Sequence, residues 1–279
     1  MKKKLIYSVS GIALVTVAIG GTVFAAQLND KSEEQPVGLP HVSYESPTTT
    51  AQNEPAAVVA TQATIQEKML NSVDYFKSVQ ATYRTVLKPI GVDETMNLQI
   101  VEGANASSYV KITDNKTNAV QENSFNGAII TTKDAKGKNS KNVAGTNVGK
   151  PKGERKTKTA KGEAVFINRI DPSFSGPAQD VILPQSYAFW LNDDTKNYKI
   201  EGEESFLGRT ATVISGTHDK DMAIKHDATH FTLWVDSETG VLLKLSETND
   251  KGEETNRIEA TTIEFNNSSI KAKDLSATN

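Results

Sequence analysis

From Thr82 almost to Phe265, apolar residues recur at every second position, and this alternation constrains the fold more than any other feature of the chain. A period of two means that successive side chains point to opposite faces, so each such run is a strand with one buried side. Candidate strands are 82–87, 96–101, 109–113, 128–132 and 164–170. Further candidates are 198–201, 210–215, 231–235, 241–246 and 257–265. Turn signals such as Thr113-Asp114-Asn115, Ser237-Glu238-Thr239-Gly240 and Asn249-Asp250-Lys251-Gly252 separate many of them. Short strands in succession with few crossover helices make an antiparallel sheet, strongly curved or part-closed. The clear interruption is Ile182 to Leu191, which reads as a short helix or turn carrying Leu183, Tyr187, Phe189 and Trp190.

A helix precedes the strands. Thr64-Ile65-Gln66-Glu67 has the form of a capping box. Ile65, Met69, Val73, Phe76 and Val79 then follow at spacings that put one apolar stripe on a helix of roughly four turns. Such a helix packs on a sheet. Its polar face is not Lys-rich, as that of a membrane-surface helix would be.

The ends of the chain have a different character. Met1-Lys2-Lys3-Lys4 is a basic flank, and Leu5 to Ala25 is long enough, at about 20 residues, to cross a bilayer once. The lysines orient such a segment with the remaining chain outside the cell membrane. Val23-Phe24-Ala25 before Ala26 also satisfies the small-residue rule for signal cleavage, so residues 1–26 read as an anchor or a signal peptide. Residues 27–61, polar and proline-bearing, read as a disordered spacer that lifts a domain from the membrane. Residues 62–279 are then the folded domain. The chain has no cysteine, so burial alone holds that domain together and no thiol chemistry is available.

Within the domain, residues 133–162 form a basic insert. Ten Lys and Arg stand against Asp134 and Glu154, apolar residues are scarce, and a disordered, solvated loop is expected. It suits anionic lipid or wall polymer better than nucleic acid, because no aromatics interleave to stack bases. A cell-wall-associated structural protein that uses this loop is one reading of the chain.

Catalytic signals are absent. Gly145-Thr146-Asn147-Val148-Gly149-Lys150 has the wrong glycine spacing for a phosphate loop, and Pro151 replaces its Ser or Thr. No nucleophile elbow occurs. His226 and His230 have zinc-helix spacing, but the segment alternates like a strand, which would set them roughly 13 Å apart. His218, Asp219 and Asp221 are the other donors nearby, and loop positions are expected for the histidines. No enzyme activity, no metal ligand set and no cofactor are expected.

The hairpin from His230 to Leu245 carries the most information about function. Phe231, Leu233 and Val235 share one face with Val241, Leu243 and Leu245 beyond the turn. The second face carries Trp234 and Leu242, more apolar surface than a wet face shows, so it is covered by helices or lines a cavity.

These residues resemble a known superfamily. Leu183-Pro184 with Tyr187, the strand at Tyr198, and Gly208-Arg209-x-Ala211-x-Val213-Ile214 match in order. Phe231-x-Leu233-Trp234-Val235-Asp236, Thr239-Gly240-Val241-Leu242-Leu243-Lys244 and Asp250-Lys251-Gly252 continue the match. The chain is similar here to the LolA-like lipoprotein carriers and to the N-terminal domain of RseB/MucB-type sigma-factor regulators. The resemblance implies a mainly β fold with a few helices (α+β): a half-open, strongly curved antiparallel sheet, an incomplete barrel covered by helices. It also implies an extracytoplasmic binding domain. The anchor or signal segment and the spacer depart from the freely shuttling carriers and point to a Gram-positive-type exported relative, membrane-anchored or secreted, and a monomer is expected. Its ligand would be a lipid or lipoprotein acyl chain, and its role envelope sensing or lipid handling. The alternative is a module that regulates a membrane partner such as an anti-sigma factor. The cavity candidates are Trp234, Leu242, Phe189, Trp190, Leu183, Tyr187 and Phe76. Gly208, Arg209, Asp236 and Gly240 are expected to serve the turn and not the ligand.

Overall fold

The computed structural model describes residues 62–145, 155–158, 160, 164–191 and 196–276. The anchor or signal segment, the spacer and the middle of the basic insert lie outside these residues.

Thirteen strands are present among them. β1 (Ser78–Leu87), β2 (Val92–Val101), β3 (Ser107–Asp114), β4 (Val120–Phe125), β5 (Ile129–Lys133) and β6 (Asn139–Val143) form one antiparallel meander. β9 (Tyr198–Phe206), β10 (Arg209–Thr217), β11 (His230–Asp236), β12 (Leu242–Thr248) and β13 (Glu254–Phe265) form a second. The first strand of one meander pairs with the last of the other, so β1 and β13 join them into a single open sheet of 11 strands ordered 6-5-4-3-2-1-13-12-11-10-9. β7 (Lys156–Lys158) and β8 (Ala164–Phe166) pair separately. The open, curved antiparallel sheet with a helical cover is the architecture expected from the strand pattern.

The core lies along one face of this sheet. Val79, Ala81 and Tyr83 on β1 stand opposite Ile100, Leu98 and Met96 on β2, and the row continues to Val110 and Ile112 on β3. In the other meander Ile258, Leu245, Leu233, Ile214 and Ile200 lie side by side across five strands. Helices α1 (Gln62–Leu70), α2 (Gln179–Ile182) and α3 (Gln185–Ala188) cover that face. Gln66 Nε2 donates to the carbonyl oxygens of Ala188 and Leu191, and the Ser72 hydroxyl donates to that of Ile182, so the cover is bonded to itself.

Several expectations are corrected. The leading helix ends at Leu70, followed by one 3-10 turn, and Val79 already belongs to β1. All five stripe residues are nonetheless buried, because helix and strand present them to the same core. Thr64 is the third helical residue and not the cap, and the Glu67 carboxylate accepts from Asn71 Nδ2. The basic insert is not loop throughout. Its residues 139–143 form β6, and Arg155 donates to the Leu70 carbonyl at 3.0 Å and Asn71 Oδ1 at 3.2 Å. The histidine region is not one strand either, since α4 (Lys220–His226) precedes β11.

The register of the β11–β12 hairpin carries the largest correction. Trp234 pairs with Lys244, but Val235 pairs with Leu242, so one extra residue sits in β12 as a bulge. The slip brings Leu242 to the core face beside Leu233 and Val235, away from the face of Trp234. Of the two apolar residues expected on the second face, Trp234 stays there beside Val213 and Leu242 leaves it.

Candidate functional site

An open groove of about 770 Å³ lies at one end of the sheet. Its walls come from the segment between α1 and β1, the β2–β3 and β4–β5 turns, the end of β6, and the chain ahead of α2. Val73 and Phe76 supply one apolar wall and Phe125 with Val143 the other. Phe76 is braced by Phe265, ring centroids 5.5 Å apart, and Phe125 by Phe174 at 4.9 Å. Val143 is 85% exposed, so its side chain is open to a ligand in the groove.

The polar side of the groove is equally specific. Arg169 grips Asp74 with both terminal nitrogens, at 2.7 and 2.9 Å, and Gln185 holds the Arg169 backbone through its N–H and carbonyl. Asp171 organises the adjoining turn by accepting from the backbone N–H and hydroxyl groups of Ser173 and Ser175. Glu102 closes this side. Burial, reinforced by the neighbouring Asp171 carboxylate, pushes its pKa up to about 8, so at neutral pH it is mainly a neutral acid. Lys77 is exposed at the rim. The groove therefore presents apolar walls, an exposed cationic rim residue in Lys77, and a Glu102 that is mainly neutral at pH 7.

The expected cavity residues are not brought together as a cavity. Leu183, Tyr187 and Leu242 are at most 1% exposed, so no space of water size touches them. Phe189 and Trp190 pack on the same core. Trp234 is on the opposite face, where its Nε1 donates to Glu204 at 2.9 Å and Lys244 lies over its ring. Phe76 alone among the seven lines the groove. Phe125, Glu102 and Arg169 were not singled out in the sequence. A phenylalanine at a strand end and a lone glutamate in a turn give no periodic signal.

Arg209, Asp236 and Gly240 meet at the β11–β12 turn. Arg209 chelates Asp236 with Nε and Nη2, and Asp236 Oδ1 accepts from the Thr239 N–H and hydroxyl, each at 2.8 Å. Gly240 has φ +78°, and a Cβ there would stand 2.3 Å from the Lys68 backbone of α1. Only glycine fits both the turn and the helix resting on it.

The histidines also differ from expectation. His230 is exposed, whereas the side chains of His218 and His226 are buried and converge with Glu247 of β12.

No protein-family model and no curated protein matches the chain. Solved structures do resemble it. One is a chain of the Pseudomonas aeruginosa MucA/MucB complex, 18% identical, with 77% of this chain and 59% of that one covered at a TM-score of 0.41. The match thus spans less than two thirds of the Pseudomonas chain. Another is an uncharacterized conserved protein from Thermus thermophilus, 10% identical, with 78% and 97% covered at a TM-score of 0.39. A third is the Mycobacterium tuberculosis lipoprotein LppX, 16% identical, with 74% and 94% covered at 0.37.

Proposed function

We propose that this chain is a non-enzymatic, extracytoplasmic binding module that holds the acyl part of an anionic lipid or lipoprotein in the groove between Phe76, Phe125 and Val143. The observation that carries this reading is the groove itself. Its volume of about 770 Å³ falls in the usual range for ligand sites, and its walls are apolar where an exposed strand end would otherwise be polar. Burying acyl chain there gains about 0.8 kcal/mol per methylene. The rim supports an anionic headgroup, because Lys77 is available and Glu102 is neutral at pH 7. The segment 5–25 would hold the module at the membrane, with 27–61 as its reach.

The test is organic extraction of the protein purified from the exported compartment of a bacterial host, followed by mass spectrometry. A stoichiometric acyl species in the wild type, lost on Val143→Asp, supports the reading. Val143 is 85% exposed, so that substitution leaves the fold intact. A lipid-free, folded wild-type protein refutes it.

A second reading, a module that binds a membrane-protein partner, is favoured by one observation. The interior is filled, and β6 is an edge strand with all five residues exposed. An incoming strand could pair with it. A membrane pull-down that captures one partner and is abolished by prolines in β6 would favour this second reading.

A further inference from the structure

We infer that His218, His226 and Glu247 form a binding site for a divalent transition-metal cation of the zinc class, at the point where α4 meets β12. His218 follows β10, His226 is the last residue of α4 and Glu247 lies in β12. The chain thus brings donors from three places to one point, their ligand atoms all within 4.8 Å of one another. The three side chains are at most 2% exposed. Glu247 Oε1 sits 2.7 Å from Nε2 of His218 and 2.8 Å from Nδ1 of His226.

Hydrogen bonding alone leaves this cluster incomplete. His218 Nε2 makes a hydrogen bond to the carboxylate. His226 Nδ1 lies 2.8 Å from the same oxygen, and its buried Nε2 has no hydrogen-bond partner. Burying an unsatisfied polar group is unfavourable, and protons shared through Glu247 do not reach that far nitrogen. A cation uses a lone pair from each ring. Zinc bonds of about 2.0 to 2.2 Å set tetrahedral donors a little over 3 Å apart, so the present contacts open by only about half an ångström to admit it. Two imidazoles and one carboxylate, without thiolate, suit Zn²⁺, Co²⁺ or Ni²⁺ and not the all-oxygen cages of Ca²⁺ or Mg²⁺.

The surroundings are those of a built site. Asn256 Nδ2 donates to Glu247 Oε2 at 3.0 Å and to the His226 carbonyl at 2.7 Å, so one amide orients a ligand and the end of α4 together. Trp190 stands edge-on to both imidazoles, at 4.7 and 5.5 Å between centroids, and Phe231 lies 5.1 Å from His218. These rings fix the imidazole planes and keep bulk water away. Asp219, also close in sequence, is occupied as the N-cap of α4. His226 is the one buried residue of that helix, so its seat on the sheet depends on this cluster.

The experiment uses the full chain, stripped with chelator and titrated with ZnCl₂ and with CoCl₂. One equivalent of zinc should bind, Tm should climb with free zinc, and cobalt should give the visible bands of a four- or five-coordinate site. His226→Gln and Glu247→Gln should abolish all three effects, Asn256→Ala should weaken binding about 10- to 100-fold, and His41→Ala and His230→Ala should change nothing. The cobalt spectrum of the unsubstituted chain decides the matter even if a variant misfolds. Absence of saturable zinc or cobalt binding overturns the proposal. So does binding that survives His226→Gln or disappears with His41→Ala.

Discussion

At the residue scale, the bulge in β12 decides which side chains belong to the core. Because Leu242 faces inward and Trp234 outward, their substitutions should differ sharply. Leu242→Ala is expected to cost about 3 kcal/mol in chemical denaturation, and Trp234→Ala under about 1. Equal costs would mean that the alternation continues without a slip. The sequence showed the hairpin but not the bulge, since an extra residue leaves no mark when Val241, Leu242 and Leu243 are all apolar. Glu102 gives a pH-dependent counterpart. Its pKa is raised to about 8, so its folded state holds a proton more tightly than the unfolded chain does. That contribution is complete below the ordinary carboxylate range and is lost as pH rises through about 8. Thermal melts of Glu102→Gln should match or trail the wild type at pH 5 and overtake it by about pH 9. A constant difference across that range would show that Glu102 does not titrate there.

At the scale of elements, strands with strong alternation were legible, and those without it were not. β4 reads Val-Gln-Glu-Asn-Ser-Phe and β6 reads Asn-Ser-Lys-Asn-Val, and neither alternates in hydrophobicity. Their neighbours supply the ladder that makes them strands. α4 escaped notice because its single buried residue is a histidine. The seating of α1 on the β11–β12 turn was hidden for another reason: close approach of backbone to glycine is a tertiary fact. Gly240→Ala should cost about 2 kcal/mol or more, the sum of a left-handed backbone without glycine and displacement of α1. Urea denaturation of this variant beside Gly252→Ala separates the two effects. Gly252 has a similar φ of +77° but open space around it, so its cost is the backbone term alone.

At the scale of the molecule, the architecture follows from the sequence because two meanders need only local turns. What joins them is not local. β1 and β13 pair residues that lie 169 to 186 positions apart, from Leu87 against Asn256 to Val79 against Phe265. Contacts of that span slow folding, so refolding should take milliseconds to seconds and not microseconds in stopped-flow fluorescence. A proline at Ala260, in the middle of β13, should abolish the fold, whereas one at Lys141 in the β6 edge should cost at most one ladder bond and the Lys141 Nζ bond to the Ser276 carbonyl. The groove was legible only in part, since its walls are gathered from distant segments and include only one of the expected cavity residues, Phe76.

The same seam governs how the protein bears mechanical load. β1 is flanked on both sides, by β2 along all ten of its residues and by β13 along nearly as many. β1 and β13 run antiparallel with Val79 against Phe265, so the chain enters this seam and leaves it at the same end. Tension between α1 and the segment after β13 therefore loads the ladder at that end first. Its bonds open one after another, as in the peeling of an edge, and are not strained together in shear.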